Sequence, residues 1–169
     1  YNGFPNENNI NGSHQSITSG IVNGQEIIAE TIQLNAEFET SWGTNVYQIG
    51  TTVNIRNAEN LELINTFFIE LENQEISNIQ RRDLESDIEI IDNKILLGWI
   101  EGHYDTGYET SLNLQYFSLD GNELSQKIVL EEGTDRPRGL KLSASDNGIL
   151  GGYYLNKSDN SQERYEFSP

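Results

Sequence analysis

Between Gly98 and Thr110 the chain reads GWIEGHYDTGYET, a stretch holding three aromatic residues, one histidine and three acids. Trp99, Tyr104 and Tyr108 offer flat apolar faces on which a sugar ring or a peptide side chain can stack. Glu101 and Asp105 can accept hydrogen bonds from hydroxyls or face a cation, and His103 between them titrates near neutral pH. Two carboxylates are also what glycoside hydrolysis requires, one as acid and one as base or nucleophile at a set separation. Glu101 and Asp105 are the pair on which that role would fall. The chain has 27 Asp and Glu residues, so a pair arises from composition alone. The segment therefore reads as a binding edge, with Trp99, Glu101, His103, Tyr104, Asp105 and Tyr108 as ligand-binding candidates and no catalytic set assigned. Its plainer reading is a solvated loop beside a core tryptophan.

Other chemistry finds little support. His14 and His103 are the only histidines and lie far apart in sequence, and no Gly-x-Ser-x-Gly elbow, paired-histidine zinc motif or phosphate loop is present. The chain has no Cys, which removes disulfides, thiolate metal sites and cysteine nucleophiles. Asp120-x-Asn122 is the one alternation that resembles a calcium loop, and it falls far short of the roughly six to eight oxygens such a loop supplies. No cofactor is expected, with calcium the single one considered. The formal charge is −17, from 10 Lys and Arg against the acids. Phosphate backbones and anionic lipid surfaces are bound by clustered cations, so nucleic acid is not an expected partner. The one basic pair, Arg81-Arg82, is followed at once by Asp83 and Glu85. No apolar run approaches the ~18–20 residues of a membrane-spanning helix, and no membrane insertion is expected.

The elements that must position the aromatic and acidic segment repeat along the chain. DNKILLGW (92–99) returns as DNGILGGY (146–153), with the same turn, apolar run and Gly-aromatic ending. NVYQIGTT (45–52) overlays NKILLGWI (93–100) at an offset of 48, placing Gly50 on Gly98, and FIELENQEI (68–76) overlays YFSLDGNEL (116–124) at the same offset. A repeat of about 48 residues follows. Within 86–132, SDIEIID alternates as a half-buried strand, and ILLGWI is apolar throughout, as a strand covered on both faces must be. SLNLQYFSL gives a third strand, DGN a turn, and ELSQKIVLEE a more polar fourth. No segment sustains a helical period. The expected fold is all-β: one domain over 1–169 built of four-stranded antiparallel units, partial at 16–35, whole at 38–83 and 86–132, and partial at 138–168. About three units are expected, and the chain reads as a portion of a longer one.

DNGILGGYY together with LQYFSLDGNELSQKIVL resembles the blade repeats of bacterial extracellular β-propellers, over about residues 38–168. SLDGNEL (118–124) is also similar to the Asp-box turn of sialidase-like propellers, a structural turn, although Asn122 stands where that box has Gly and Leu124-Ser125 where it has Thr-Trp. The resemblance implies stacked sheets whose inner strands are covered on both faces, and export to the cell surface or the extracellular space. Propellers close with roughly four to eight blades. About three units are too few, so the missing surfaces would be met by more of the parent chain, by copies of this chain, or by a partner chain pairing with the edge strands. A β-trefoil is the alternative architecture. The expected function is a non-enzymatic binding or scaffold module that recognises a protein partner or a carbohydrate through inter-strand loops. The alternatives are a fragment of a glycosidase or sialidase-like propeller enzyme, or an assembly subunit completed by another chain.

Overall fold

The computed structural model describes residues 10–40, 43–70, 85–103, 109–133, 136–145, 148–156 and 161–168. The described chain is all-β, with eleven strands in three antiparallel sheets. The first sheet is a meander of β1 (Ile10–Val22), β2 (Gln25–Thr40), β3 (Gly43–Asn57) and β4 (Leu63–Glu70). The second is built the same way from β5 (Ser86–Ile91), β6 (Lys94–His103), β7 (Glu109–Phe117) and β8 (Ile128–Gly133). The third has β9 (Arg136–Ser145), β10 (Gly148–Asn156) and β11 (Gln162–Phe167). Each sheet is one continuous run of chain, and the strands close into no barrel among the described residues.

Tight turns open the first two units. Val22 pairs with Gln25 around Asn23-Gly24, and Ile91 pairs with Lys94 around Asp92-Asn93. All four turn residues have positive φ, the type I′ geometry that matches strand twist. Ser145 pairs with Gly148 at the corresponding place in the third sheet. With these pairs aligned, first-sheet positions map onto the second by adding 69 and second-sheet positions onto the third by adding 54.

This alignment changes the first unit. The division expected at 16–35 and 38–83 is replaced by one sheet over 10–70, because β2 runs unbroken through residues 36–38. Gly98 and Gly152 are equivalent second-strand positions, but Gly50 lies in a third strand, where Phe68 of its own sheet crosses it. Ala29 takes the first-sheet position that corresponds to Gly98. The second and third sheets occupy Ser86–Gly133 and Arg136–Phe167, beside the expected 86–132 and 138–168. Residues 71–83, assigned to the end of the second unit, lie outside the described residues.

The sheets stack face to face. Directly opposed residues of an antiparallel pair share a face, so each sheet has a definable front and back. The front of the first sheet carries Thr18, Gly20, Ala29, Val53, Ile55 and Phe67 and covers the back of the second. There Phe67 packs on Phe117 with ring centroids 5.6 Å apart, and Asn65 Nδ2 donates to the Leu119 carbonyl at 2.7 Å. The front of the second sheet covers the back of the third. A Cβ on Gly98 would lie 2.8 Å from Leu140 Cδ2 and 2.9 Å from Leu114 Cδ2, so a side chain here must push the ends of these leucines aside. Ile95, Leu96 and Leu97 are fully buried, which fits the continuous apolar run of β6. Each such side chain contributes about 1.5–3 kcal/mol by leaving water. The outer strand β8 is mostly exposed or half-buried, as its polar sequence requires.

The first strands β1, β5 and β9 lie side by side and are joined through side chains. Glu85, just before β5, and Asp87 and Glu89 within it accept the backbone N–H groups of Leu140, Leu142 and Ala144 of β9, at 3.1, 2.7 and 3.2 Å. From the other side, Ser16 donates its hydroxyl to Asp87 and Thr18 Oγ1 donates to Glu89 at 2.8 Å. Period-two carboxylates thus stand in for a neighbouring strand along the edge of β9. Asp87 is 4% exposed, so both faces of β5 are buried, where the sequence alternation predicted one.

The turn after β7 is held by its serine. Ser118 N–H donates to the Asn122 carbonyl at 2.9 Å, Gly121 N–H to the Ser118 carbonyl at 3.0 Å, and Asn122 N–H to Ser118 Oγ at 3.1 Å. Gly121, with φ of +82°, occupies the left-handed position of this three-residue loop.

Candidate functional site

Trp99 and Glu101 point the same way from β6, two residues apart, as strand alternation requires. The indole Nε1–H donates to Glu101 Oε1 at 2.7 Å, and Lys127 Nζ stands 3.8 Å from Oε2. Trp99 is 4% and Glu101 3% exposed, so both sit inside the stack on the back of the second sheet. The backbone of His103 pairs with Glu109 at the end of β6. The His103 side chain and all of Tyr104, Asp105 and Tyr108 lie outside the described residues. Two of the six candidates are therefore brought together, as a hydrogen-bonded interior pair.

Their surroundings are polar for an interior. Ser86 and Asn113 lie directly across from Trp99 on the two flanking strands. Ser86 Oγ, Asn113 Oδ1 and Glu101 Oε2 are buried without a hydrogen-bond partner among the described residues, as are Thr31 Oγ1 and Thr51 Oγ1 on the facing sheet. The back of the second sheet thus presents Trp99 within a polar layer rather than a purely apolar one. Such layers are commonly satisfied by internal water.

Other buried or half-buried carboxylates have protein partners. Glu30, 8% exposed on the back of the first sheet, accepts from Asn54 Nδ2 and Arg56 Nε, both at 3.1 Å. Glu131 accepts the Tyr153 hydroxyl at 2.8 Å. Burial raises the Tyr153 phenol well above its ordinary value, and the hydrogen bond to the Glu131 carboxylate and its charge add to that. Among the described residues, no group of three or more His, Asp or Glu side chains is placed to hold a metal ion.

The accessible candidate lies elsewhere, on the front of the third sheet. Gly139, Lys141, Ser143, Gly152, Tyr154 and Arg164 line an open concavity of about 380 Å³. The Lys141 and Arg164 side chains are 75% and 63% exposed. Lys141 Nζ lies 3.8 Å from Asp87 Oδ1, and Arg164 Nη2 donates to Glu166 Oε1 at 2.8 Å. None of these residues was among the sequence candidates. One signal could have found them: residues 136–169 hold five of the 10 basic residues and four of the 27 acids, a net +1, which leaves −18 on residues 1–135. On the back of the first sheet Ile17, Ile21 and Phe68 are likewise exposed, at 63, 70 and 48%. No family model, curated protein or solved structure matches this chain.

Proposed function

We propose that this chain is a non-enzymatic binding or scaffold module, of the β-propeller-blade kind that its repeats resemble, from an exported bacterial protein. The observation that carries the reading is the pair of uncovered outer faces on a stack whose described interior acids serve packing. Glu101, the one described member of the glycosidase pair, is sealed against Trp99 and Lys127. The outer faces instead offer what recognition uses: exposed apolar side chains on one and a shallow concavity with Lys141, Tyr154 and Arg164 on the other. A protein partner suits these broad faces, and a carbohydrate suits the concavity or the aromatic segment at 99–110. The alternative, a glycosidase-like fragment, rests on Glu101 and Asp105.

The test is titration of the chain against immobilised glycans and candidate proteins, with turnover assays on the same sugars. Binding without hydrolysis, weakened by Lys141→Glu or Arg164→Glu, is the expected result. Hydrolysis abolished by Glu101→Gln or Asp105→Asn would overturn the reading.

A further inference from the structure

The two uncovered faces are the two halves of a contact that the chain already makes twice. Ile17, Ser19 and Ile21 on the back of β1 correspond, through the turn alignment, to Ser86, Ile88 and Ile90 on β5 and to Leu140, Leu142 and Ala144 on β9. In the second sheet these positions are 6, 2 and 7% exposed, because the front of the first sheet covers them. A Cβ on Gly20 would lie 2.9 Å from Ile90 Cγ2. In the third sheet Leu140 and Leu142 are 2 and 8% exposed, set against Gly98. In the first sheet Ile17 and Ile21 stand in water.

The matching front positions behave the same way. Thr18 and Ala29 correspond to Asp87 and Gly98, and these to Lys141 and Gly152. Ala29 and Gly98 lie under the next sheet. Gly152 lies in the open concavity beside Lys141 and Ser143, and a Cβ there would meet only the Tyr165 carbonyl oxygen, at 3.4 Å. The concavity is therefore the counterpart of the hollow at Gly98 that Leu140 and Leu142 fill.

We infer that a second copy of this chain docks head to tail, seating Ile17 on the back of its first sheet over Gly152 on the front of the third, with Ile21 beside Ser143 as Ile90 lies beside Gly20. Charge favours the same direction, since the segment of net +1 that bears the socket meets a first sheet whose residues 10–70 hold seven Glu and one Arg. This contact uses different surfaces on the two copies, so it closes into a ring or continues as a filament. It deepens the scaffold reading by naming one partner, and rests on that reading.

The test is sedimentation velocity of the 169-residue chain across a wide concentration range, with Ile17→Asp and Gly152→Leu variants checked for unchanged circular dichroism. Ile17 is exposed, and Gly152 has room for a side chain, so both variants are expected to fold. The wild type should associate with increasing concentration, and each variant alone should lose at least about tenfold in self-affinity. An equimolar mixture of the two should form a dimer, because one copy keeps the knob and the other keeps the socket. A wild type that stays monomeric, an Ile17→Asp chain that associates like the wild type, or a mixture that forms no dimer would overturn the inference. A monomeric chain that still captures a glycan or a different protein would reject self-pairing and leave the binding reading in place. Sugar hydrolysis would reject that reading instead.

Discussion

Asp87 Oδ2 accepts the backbone N–H of Leu142 at 2.7 Å, although the two residues belong to sheets that share no backbone ladder. The other carboxylate oxygen accepts the hydroxyl of Ser16 from the first sheet. One buried side chain thus ties together all three sheets. Asp87→Ala leaves the Leu142 N–H and the Ser16 hydroxyl without their acceptor and should cost about 2–4 kcal/mol, since hydrogen bonds to charged groups are each worth about 1.5–3 kcal/mol. Asp87→Asn, which keeps one acceptor oxygen, should cost less. Urea unfolding midpoints measured on the two variants check this, and equal stability of Asp87→Ala and wild type would refute it.

Gly98 marks the closest approach of the second and third sheets. Gly98→Val drives methyl groups into Leu140 and Leu114 and should destabilise by about 1–3 kcal/mol, the usual range for overpacking. Gly98→Ala should cost less, because both obstructing atoms are the ends of flexible leucines. Thermal melting of the two variants gives the ranking.

The Trp99–Glu101 bond makes a spectroscopic prediction. Glu101→Leu strands the indole N–H in the interior and removes the charge facing Lys127, at a cost of about 1–3 kcal/mol. Glu101→Gln keeps an acceptor for the indole and should be milder. In a Trp42→Phe background, the remaining fluorescence reports on Trp99 alone. Its emission should change more for Leu than for Gln, and an unchanged spectrum in both variants would remove the bond.

Ionisation of Tyr153 should weaken the chain at alkaline pH. Its phenol holds its proton more tightly in the folded chain than in the unfolded one. Below the unfolded value, about pH 10, both states are protonated and the contribution is constant. Above it the unfolded chain releases the proton first, so stability falls as pH rises towards the folded value. Tyr153→Phe should flatten that decline while weakening the chain near neutral pH through loss of the bond to Glu131. Denaturant midpoints from pH 8 to 11 test the slope.

Much of this architecture is written in local patterns. The unbroken apolar run Ile95–Leu97 specifies a strand covered twice, and the Asp-Gly turn after β7 falls where its sequence puts it. Two features are not local. Gly50 imitates Gly98 in its neighbourhood of Asn and apolar residues, yet it makes room for Phe68 on a third strand, and this displaced the inferred phase of the first unit. Strand length added to the error, since β2 and β3 have 16 and 15 residues where later strands have 6–10. The acids at 85, 87 and 89 read as the wet face of a half-buried strand. Their acceptor role depends on N–H groups 55 residues away, which periodicity cannot reveal. The concavity on the third sheet escaped for a related reason: its residues come from three strands and only the shift in charge balance announces them.

Because every sheet is spun from one uninterrupted stretch of chain, a gene for this protein can gain or lose a whole module without cutting any ladder in the others. Only the two surfaces meeting at the new junction must adapt.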